Sequence, residues 1–181
     1  MADMKIENVV ASTTIADELD LSQLSKKLPE GEYEPEQFPG LVLRLDEPKT
    51  AALLFRSGKV VCTGAKTIDD VKKAISKVCK KVEKAGAKVY DSPDITVQNI
   101  VASANLHAQL NLNAIALAIG LEKVEYEPEQ FPGLVYRLED PHVVVLLFGS
   151  GKLVCTGGRK AEQVSEAIDK IYQELDMKGL L

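Results

Sequence analysis

The 181-residue chain predicts an α+β fold in which one unit is used twice, each copy running β-α-β-β-β-β-α with hairpin-linked antiparallel strands and helices on one face of the sheet. Three observations predict it. Long segments of the first half recur in the second. Within each copy the apolar period changes from that of a strand to that of a helix. Pro-Gly, Glu-Pro and Ser-Gly pairs fall between the short apolar runs, where turns are needed.

The recurrence is long and literal. Tyr33–Val42 reads YEPEQFPGLV, and Tyr126–Val135 reads the same. Arg44-Leu45, Leu53-Leu54-Phe55, Ser57-Gly58-Lys59 and Cys62-Thr63-Gly64 return as Arg137-Leu138, Leu146-Leu147-Phe148, Ser150-Gly151-Lys152 and Cys155-Thr156-Gly157. Upstream, Asn8-Val9-Val10-Ala11-Ser12 matches Asn99-Ile100-Val101-Ala102-Ser103. The offset is 91 early and 93 later, so two residues were gained or lost around the first helix. The units are residues 1–91 and 92–181, with no Pro/Gly/Ser linker between them, which predicts one continuous sheet.

In the first unit, residues 5–13 alternate as a strand does. Residues 20–28 suit a short helix capped by Asp20 and stopped by Pro29. Strands follow near 32–37, 41–46, 50–55 and 59–64. Thr67 opens a longer helix with Asp70 as its capping-box partner, and Val71, Ala74, Ile75, Val78 and Val82 form its apolar stripe. Val164, Ala167, Ile168, Ile171 and Leu175 repeat the stripe in the second unit.

The composition, 45% hydrophobic and 27% charged, is that of an ordinary globular protein. No stretch approaches the ~20 apolar residues that span a bilayer, and the polar, acidic start Met1–Glu7 does not look like a secretory signal. Cys62, Cys79 and Cys155 make no CxxC pair and fit a reducing interior, and His107 and His142 lack metal-ligand spacing. Residues 92–181 carry 7 Lys+Arg against 12 Asp+Glu, which accounts for the whole net charge of −5. That sum argues against nucleic acid, but phosphates feel charge within a Debye length of about 8 Å.

Strand alternation sorts the first unit into two faces. Val9, Leu43, Leu45, Ala52, Leu54, Val60 and Cys62 are uniformly apolar and suit packing under helices. Asn8, Val10, Val42, Arg44, Leu53, Phe55, Lys59, Val61 and Thr63 mix apolar, amide and basic groups. One long helix per unit cannot cover both faces, so the mixed face stays open and reads as a binding surface. Its counterparts Asn99, Val101, Val135, Arg137, Leu146, Phe148, Lys152, Val154 and Thr156 are all identical, whereas the covered face drifts at Val9/Ile100, Leu43/Tyr136, Ala52/Val145 and Val60/Leu153. A tighter core would also keep a face constant, but the mixed polarity favours contact with a two-fold symmetric partner.

The chemistry of that face suits a minor groove. Phe38, Phe55, Phe131 and Phe148 form two symmetric pairs off the helices, and Phe38 and Phe131 precede Pro-Gly turns. Apolar wedges of this kind enter base steps and kink DNA. Asn8, Asn99, Thr63 and Thr156 offer donors to the acceptors of A·T pairs, and the valines beside them fit a floor without the guanine amino group. Arg44, Lys59, Arg137 and Lys152, with Lys66 and Arg159 further out, can meet phosphates.

The motifs NVVAS/NIVAS, EPEQFPGLVxR, LLFxSGK and VCTG resemble those of the TATA-box-binding protein family in its short, archaeal-type form, over nearly all of residues 5–176. The resemblance implies a pseudo-two-fold saddle: a curved ten-stranded antiparallel sheet, four helices on its convex face, and a concave face for the minor groove. It implies that Phe38/Phe55 and Phe131/Phe148 are the kinking wedges. It assigns base contacts to Asn8, Asn99, Thr63 and Thr156, packed by Val10, Val61, Val101, Val154, Leu53 and Leu146, and phosphate contacts to Arg44, Arg137, Lys59, Lys152, Ser57 and Ser150. Glu127 and Glu129 become contacts for transcription factor B. The implied function is a general initiation factor that bends A·T-rich double-stranded DNA and recruits transcription factor B and RNA polymerase, without cofactor, metal, membrane or catalytic residue. The resemblance leaves open a homodimer off DNA, and implies a nucleoid-associated cytoplasmic location in an archaeon or a nuclear one in a eukaryote. Gln37 stands where some relatives carry a basic residue.

Other patterns read as structural. Phe-Arg-Ser-Gly-Lys and Phe-Gly-Ser-Gly-Lys lack the leading Gly and the Ser/Thr of a phosphate loop and suit hairpin turns. Glu34/Glu36 and Glu127/Glu129 have no nucleophile nearby. Lys72, Lys73, Lys77, Lys80, Lys81 and Lys84 make a solvated helix face or a docking patch. The main rival to DNA is an apolar small molecule or a protein helix in the sheet's hollow, which needs neither Asn8/Asn99 nor the basic rim.

Overall fold

The structure is a computed structural model that describes residues 3–181; Met1 and Ala2, the start of the polar N-terminal stretch, lie outside the described residues. The elements run β1 (Asp3–Thr14), α1 (Leu21–Lys27), β2 (Gly31–Tyr33), β3 (Leu41–Asp46), β4 (Lys49–Leu54), β5 (Lys59–Ala65) and α2 (Ile68–Lys84). The second pass is β6 (Thr96–Asn105), α3 (Leu112–Ile119), β7 (Val124–Glu125), β8 (Leu134–Glu139), β9 (His142–Leu147), β10 (Lys152–Gly158) and α4 (Ala161–Met177). This is the expected β-α-β-β-β-β-α order, twice. The strands belong to a ten-stranded antiparallel sheet, ordered β2-β3-β4-β5-β1 in one repeat and β6-β10-β9-β8-β7 in the other. Two compact units result: Asn8–Gln98, and Asn99–Leu181 together with the first residues up to Glu7.

Local chemistry explains the boundaries. The Asp20 carboxylate accepts from Gln23 N at 3.2 Å and caps α1. Thr67 Oγ1 accepts from Asp70 N at 3.0 Å and caps α2. In α4 the Gln163 amide oxygen takes both Arg159 N and Lys160 N. The apolar stripes read from the sequence are the buried residues of α2 and α4. One expectation fails: the strand near 32–37 stops at Tyr33. Gln37 N and Phe38 N both bond to Glu34 O at 2.9 Å, so Glu34–Phe38 folds back as a turn. Pro35 supplies the fixed φ such a turn uses, which the alternation of the run conceals.

The two faces separate as expected. Val9, Leu43, Ala52, Leu54, Val60 and Cys62 are at most 1% exposed, and α2 packs over β4 and β5 as α4 packs over β10. Burial pushes the thiols of Cys62 and Cys155 up to about 11, because a thiolate under the helices would lose its hydration. The thiolate is the reacting form, so both should resist alkylation at pH 8 while the half-buried Cys79 reacts faster. Mass spectrometry of iodoacetamide-treated protein checks this; labelling of all three at one rate would contradict the packing.

Candidate nucleic-acid interface

The opposite face is uncovered. Asn8, Val10, Val42, Leu53, Phe55, Val61 and Thr63 are half-exposed and Arg44 and Lys59 exposed, and each counterpart in the second repeat has the same degree of burial. One position on this face escaped the sequence reading. Ala51 lies opposite both Arg44 and Thr63 in the strand register, and its counterpart Val144 lies opposite Arg137 and Thr156. The pair differs in volume only.

Each phenylalanine pair is built from two turns. Phe38 ends the fold-back after Glu34, and Phe55 opens the hairpin that Gly58 closes, with Gly58 N on Phe55 O at 3.0 Å. The rings meet edge to face with centroids 5.9 Å apart and planes at 67°; Phe131 and Phe148 repeat this at 5.8 Å and 67°. Phe38 is 38% exposed and Phe131 39%, far more than a core aromatic. Gly40 and Gly133 make room for the pairs: a Cβ on Gly133 would stand 2.6 Å from Phe131 Cε2 and 3.0 Å from Phe148 Cε1. The sequence shows these glycines only as turn residues.

The asparagines are held in one orientation. Asn99 Oδ1 accepts from Gly157 N at 2.6 Å, and Asn99 Nδ2 donates to Thr156 Oγ1 at 3.1 Å. Asn8 repeats this with Gly64 N at 2.7 Å and Thr63 Oγ1 at 3.3 Å. Gly64 and Gly157 have φ of 97° and 106°, a conformation open to glycine that interrupts the pairing with β1 and β6 and turns the N–H toward the amide. A backbone N–H can only donate, so it fixes which end of the amide is oxygen. The second N–H of Nδ2 is left outward. The threonine hydroxyl, already accepting, has its proton to give; in the second repeat Asn99 Oδ1, 3.4 Å away, is an internal alternative for it. Each repeat thus keeps one amide N–H of its asparagine free above half-exposed valines.

The basic groups form the rim. Arg44 Nε lies 3.7 Å from Glu32 and Arg137 Nε 3.6 Å from Glu125, in exposed pairs worth little in water and easily exchanged for another anion. Ser57 and Ser150 hydroxyls accept from Lys59 N and Lys152 N at 3.4 Å, placing hydroxyl and ammonium on one turn. Glu127 and Glu129 are exposed, in the turn where Gln130 N and Phe131 N close on Glu127 O. Of the six lysines on α2, Lys81 pairs with Glu30 at 3.2 Å, Lys77 donates to the Glu47 carbonyl, and Lys72, Lys73, Lys80 and Lys84 are exposed. Among the described residues no group of three or more His, Cys, Asp or Glu is arranged to hold a metal, and no helix is long and apolar enough to cross a membrane.

Fold and face together define a class: a duplicated α+β sheet protein with one face under helices and the other carrying paired aromatic rings, hydrogen-bonded asparagines and exposed basic side chains. The family model described as "Transcription factor TFIID (or TATA-binding protein, TBP)" matches residues 3–85 and 94–177. The TATA-box-binding protein of Picrophilus torridus is 59% identical over 181 residues, covering 100% of this chain and 98% of that one. That of Archaeoglobus fulgidus is 57% identical, covering 98% and 97%. The solved structure of Methanococcus jannaschii TBP superposes with a TM-score of 0.89 at 53% identity, covering 97% of this chain and 99% of that one. The chain belongs to the TATA-box-binding protein family, whose named members are DNA-binding transcription factors rather than enzymes.

Proposed function

We propose that the chain is a general initiation factor that binds A·T-rich promoter DNA through the minor groove, bends it, and serves as the platform for transcription factor B and RNA polymerase. The observation that carries this reading is the pair of locked amides. A·T pairs show only the acceptors N3 and O2 in the minor groove, while a G·C pair adds the guanine amino donor. A free amide N–H, with the threonine hydroxyl beside it, on a floor of Val10, Val61, Val101 and Val154, is satisfied by the first and obstructed by the second. The phenylalanine pairs supply the wedges that bending needs. Arg44, Arg137, Lys59, Lys152, Ser57 and Ser150 supply phosphate contacts, and Glu127 and Glu129 the partner contact. Without a duplex, the same apolar face is the surface through which two copies would associate.

Gel-shift titration on matched A·T-rich and G·C-rich duplexes tests the reading, which predicts a clear preference for the first. Asn99→Ala removes a base contact and should lose about 1–3 kcal/mol on the A·T-rich duplex, with discrimination falling to match. Lys152→Ala removes a phosphate contact and should weaken all duplexes alike. Equal loss on every sequence for Asn99→Ala would refute the assignment.

A further inference from the structure

Nine matched pairs on the open face are identical in the two repeats and Ala51/Val144 differs only in volume, so hydrogen-bonding chemistry at these positions gives a duplex no preferred direction. The symmetry breaks in chemical type immediately before each asparagine, where the first repeat has Glu7 and the second Gln98. The structure puts both heads beside the open face. Glu7 Oε1 accepts from Ser103 Oγ at 2.8 Å, and Ser103 lies opposite Val154 in the strand register. Gln98 Nε2 donates to Ser12 Oγ at 2.8 Å, and Ser12 lies opposite Val61. Each head belongs to a different compact unit, Glu7 to the one containing Asn99 and Gln98 to the one containing Asn8.

The two pairs offer opposite chemistry. A carboxylate cannot donate, so the Ser103 proton is committed to Glu7, and that pair presents only lone pairs outward. An amide both donates and accepts, so Gln98 and Ser12 keep free hydrogens whichever of them donates to the other. In the minor groove an outward donor suits the acceptor-only edge of A·T. An outward acceptor suits the guanine amino donor and opposes N3 and O2.

We propose that Glu7 and Gln98 are specificity-determining residues that make the two half-sites unequal: the unit holding Glu7 accepts a G·C pair at the step it faces, and the unit holding Gln98 rejects it. This rests on the minor-groove reading above. Its consequence is a preferred direction of binding set by DNA contacts alone, and modest in size because one position carries it.

The test needs no label on the protein. Duplexes with an all-A·T core are compared with cores carrying one G·C pair, or two at mirror-related positions, scanned from the ends to the centre. Wild-type protein can turn round to place a single G·C pair under Glu7. At one mirror pair, therefore, the first substitution should cost little and the second about tenfold, the factor equivalent to 1.4 kcal/mol. Glu7→Gln should lose about tenfold on the first substitution, and Gln98→Glu should tolerate both. Both changes preserve shape, and ratios among duplexes cancel the uniform effect of the altered charge. A wild-type protein that loses as much on the first substitution as on the second at every mirror pair, or a Glu7→Gln variant with the wild-type profile, overturns the proposal. Failure to bind the all-A·T core would instead overturn the minor-groove reading beneath it.

Discussion

Truncation of Phe131 or Phe148 to alanine is expected to lower both affinity for A·T-rich duplex and the angle by which that duplex bends. Opening a base step costs a few kcal/mol, which the inserted ring and the extra surface brought into contact must offset. Losing one ring of an edge-to-face pair also removes the support that aims the other. A loss of about 2 kcal/mol, roughly 30-fold in Kd, is expected for either variant. Phe131 is 39% exposed in the free protein, so its removal should barely change stability. Gly133→Ala separates aim from presence: it keeps both rings but puts a methyl group where Phe131 Cε2 lies 2.6 Å away. It should reduce the bend with a smaller loss of affinity. Energy transfer between dyes at the duplex ends reports the angle. A wild-type bend in both truncated variants would return these phenylalanines to a packing role.

Much of this surface is legible in the sequence because strand alternation and the repeat act on the same residues. Alternation assigns Val60 and Cys62 to one face and Val61 and Thr63 to the other. The structure buries the first two and leaves the second two half-exposed. The stripe of α2 is equally plain, since Val71, Ala74, Ile75, Val78 and Val82 follow the helical period. What the sequence hides depends on neighbours distant along the chain. Nothing local says that Gly157 N fixes the Asn99 amide, that Glu7 reaches Ser103, or that Arg44 rests on Glu32. These follow from register, which is a property of the paired strands. The turn at Glu34–Phe38 is hidden for another reason: alternation of the run looks extended, while Pro35 and the bonds to Glu34 O bring Phe38 back beside Phe55.

Reversing the charge of Glu127 and Glu129 to arginine should leave duplex binding intact and weaken the ternary complex with transcription factor B by tenfold or more. Both side chains are exposed, in a turn that the backbone bonds of Gln130 and Phe131 to Glu127 O hold without them. Glu34 and Glu36 occupy the same turn in the first repeat, closed by the same bonds, so the turn itself cannot distinguish the ends. The surroundings can. The second repeat carries the whole net charge of −5, and α4 exposes Glu162 and Glu166 with Asp169 half-exposed, whereas α2 exposes Lys72, Lys73, Lys80 and Lys84. A basic partner meets the acidic end faster and is turned away from the basic one, because complementary charge raises the on-rate and suppresses wrong poses. Glu34→Arg with Glu36→Arg should therefore do much less. Added arginine also attracts phosphates, so duplex affinity is compared at several salt concentrations, where a purely electrostatic gain shrinks as salt rises. The preference proposed for Glu7 and Gln98 would act on the duplex alone, and partner capture at the second turn would multiply it. Equal damage to the ternary complex from both charge reversals, or loss of duplex binding in the Glu127/Glu129 variant, would show that direction is not set at this turn.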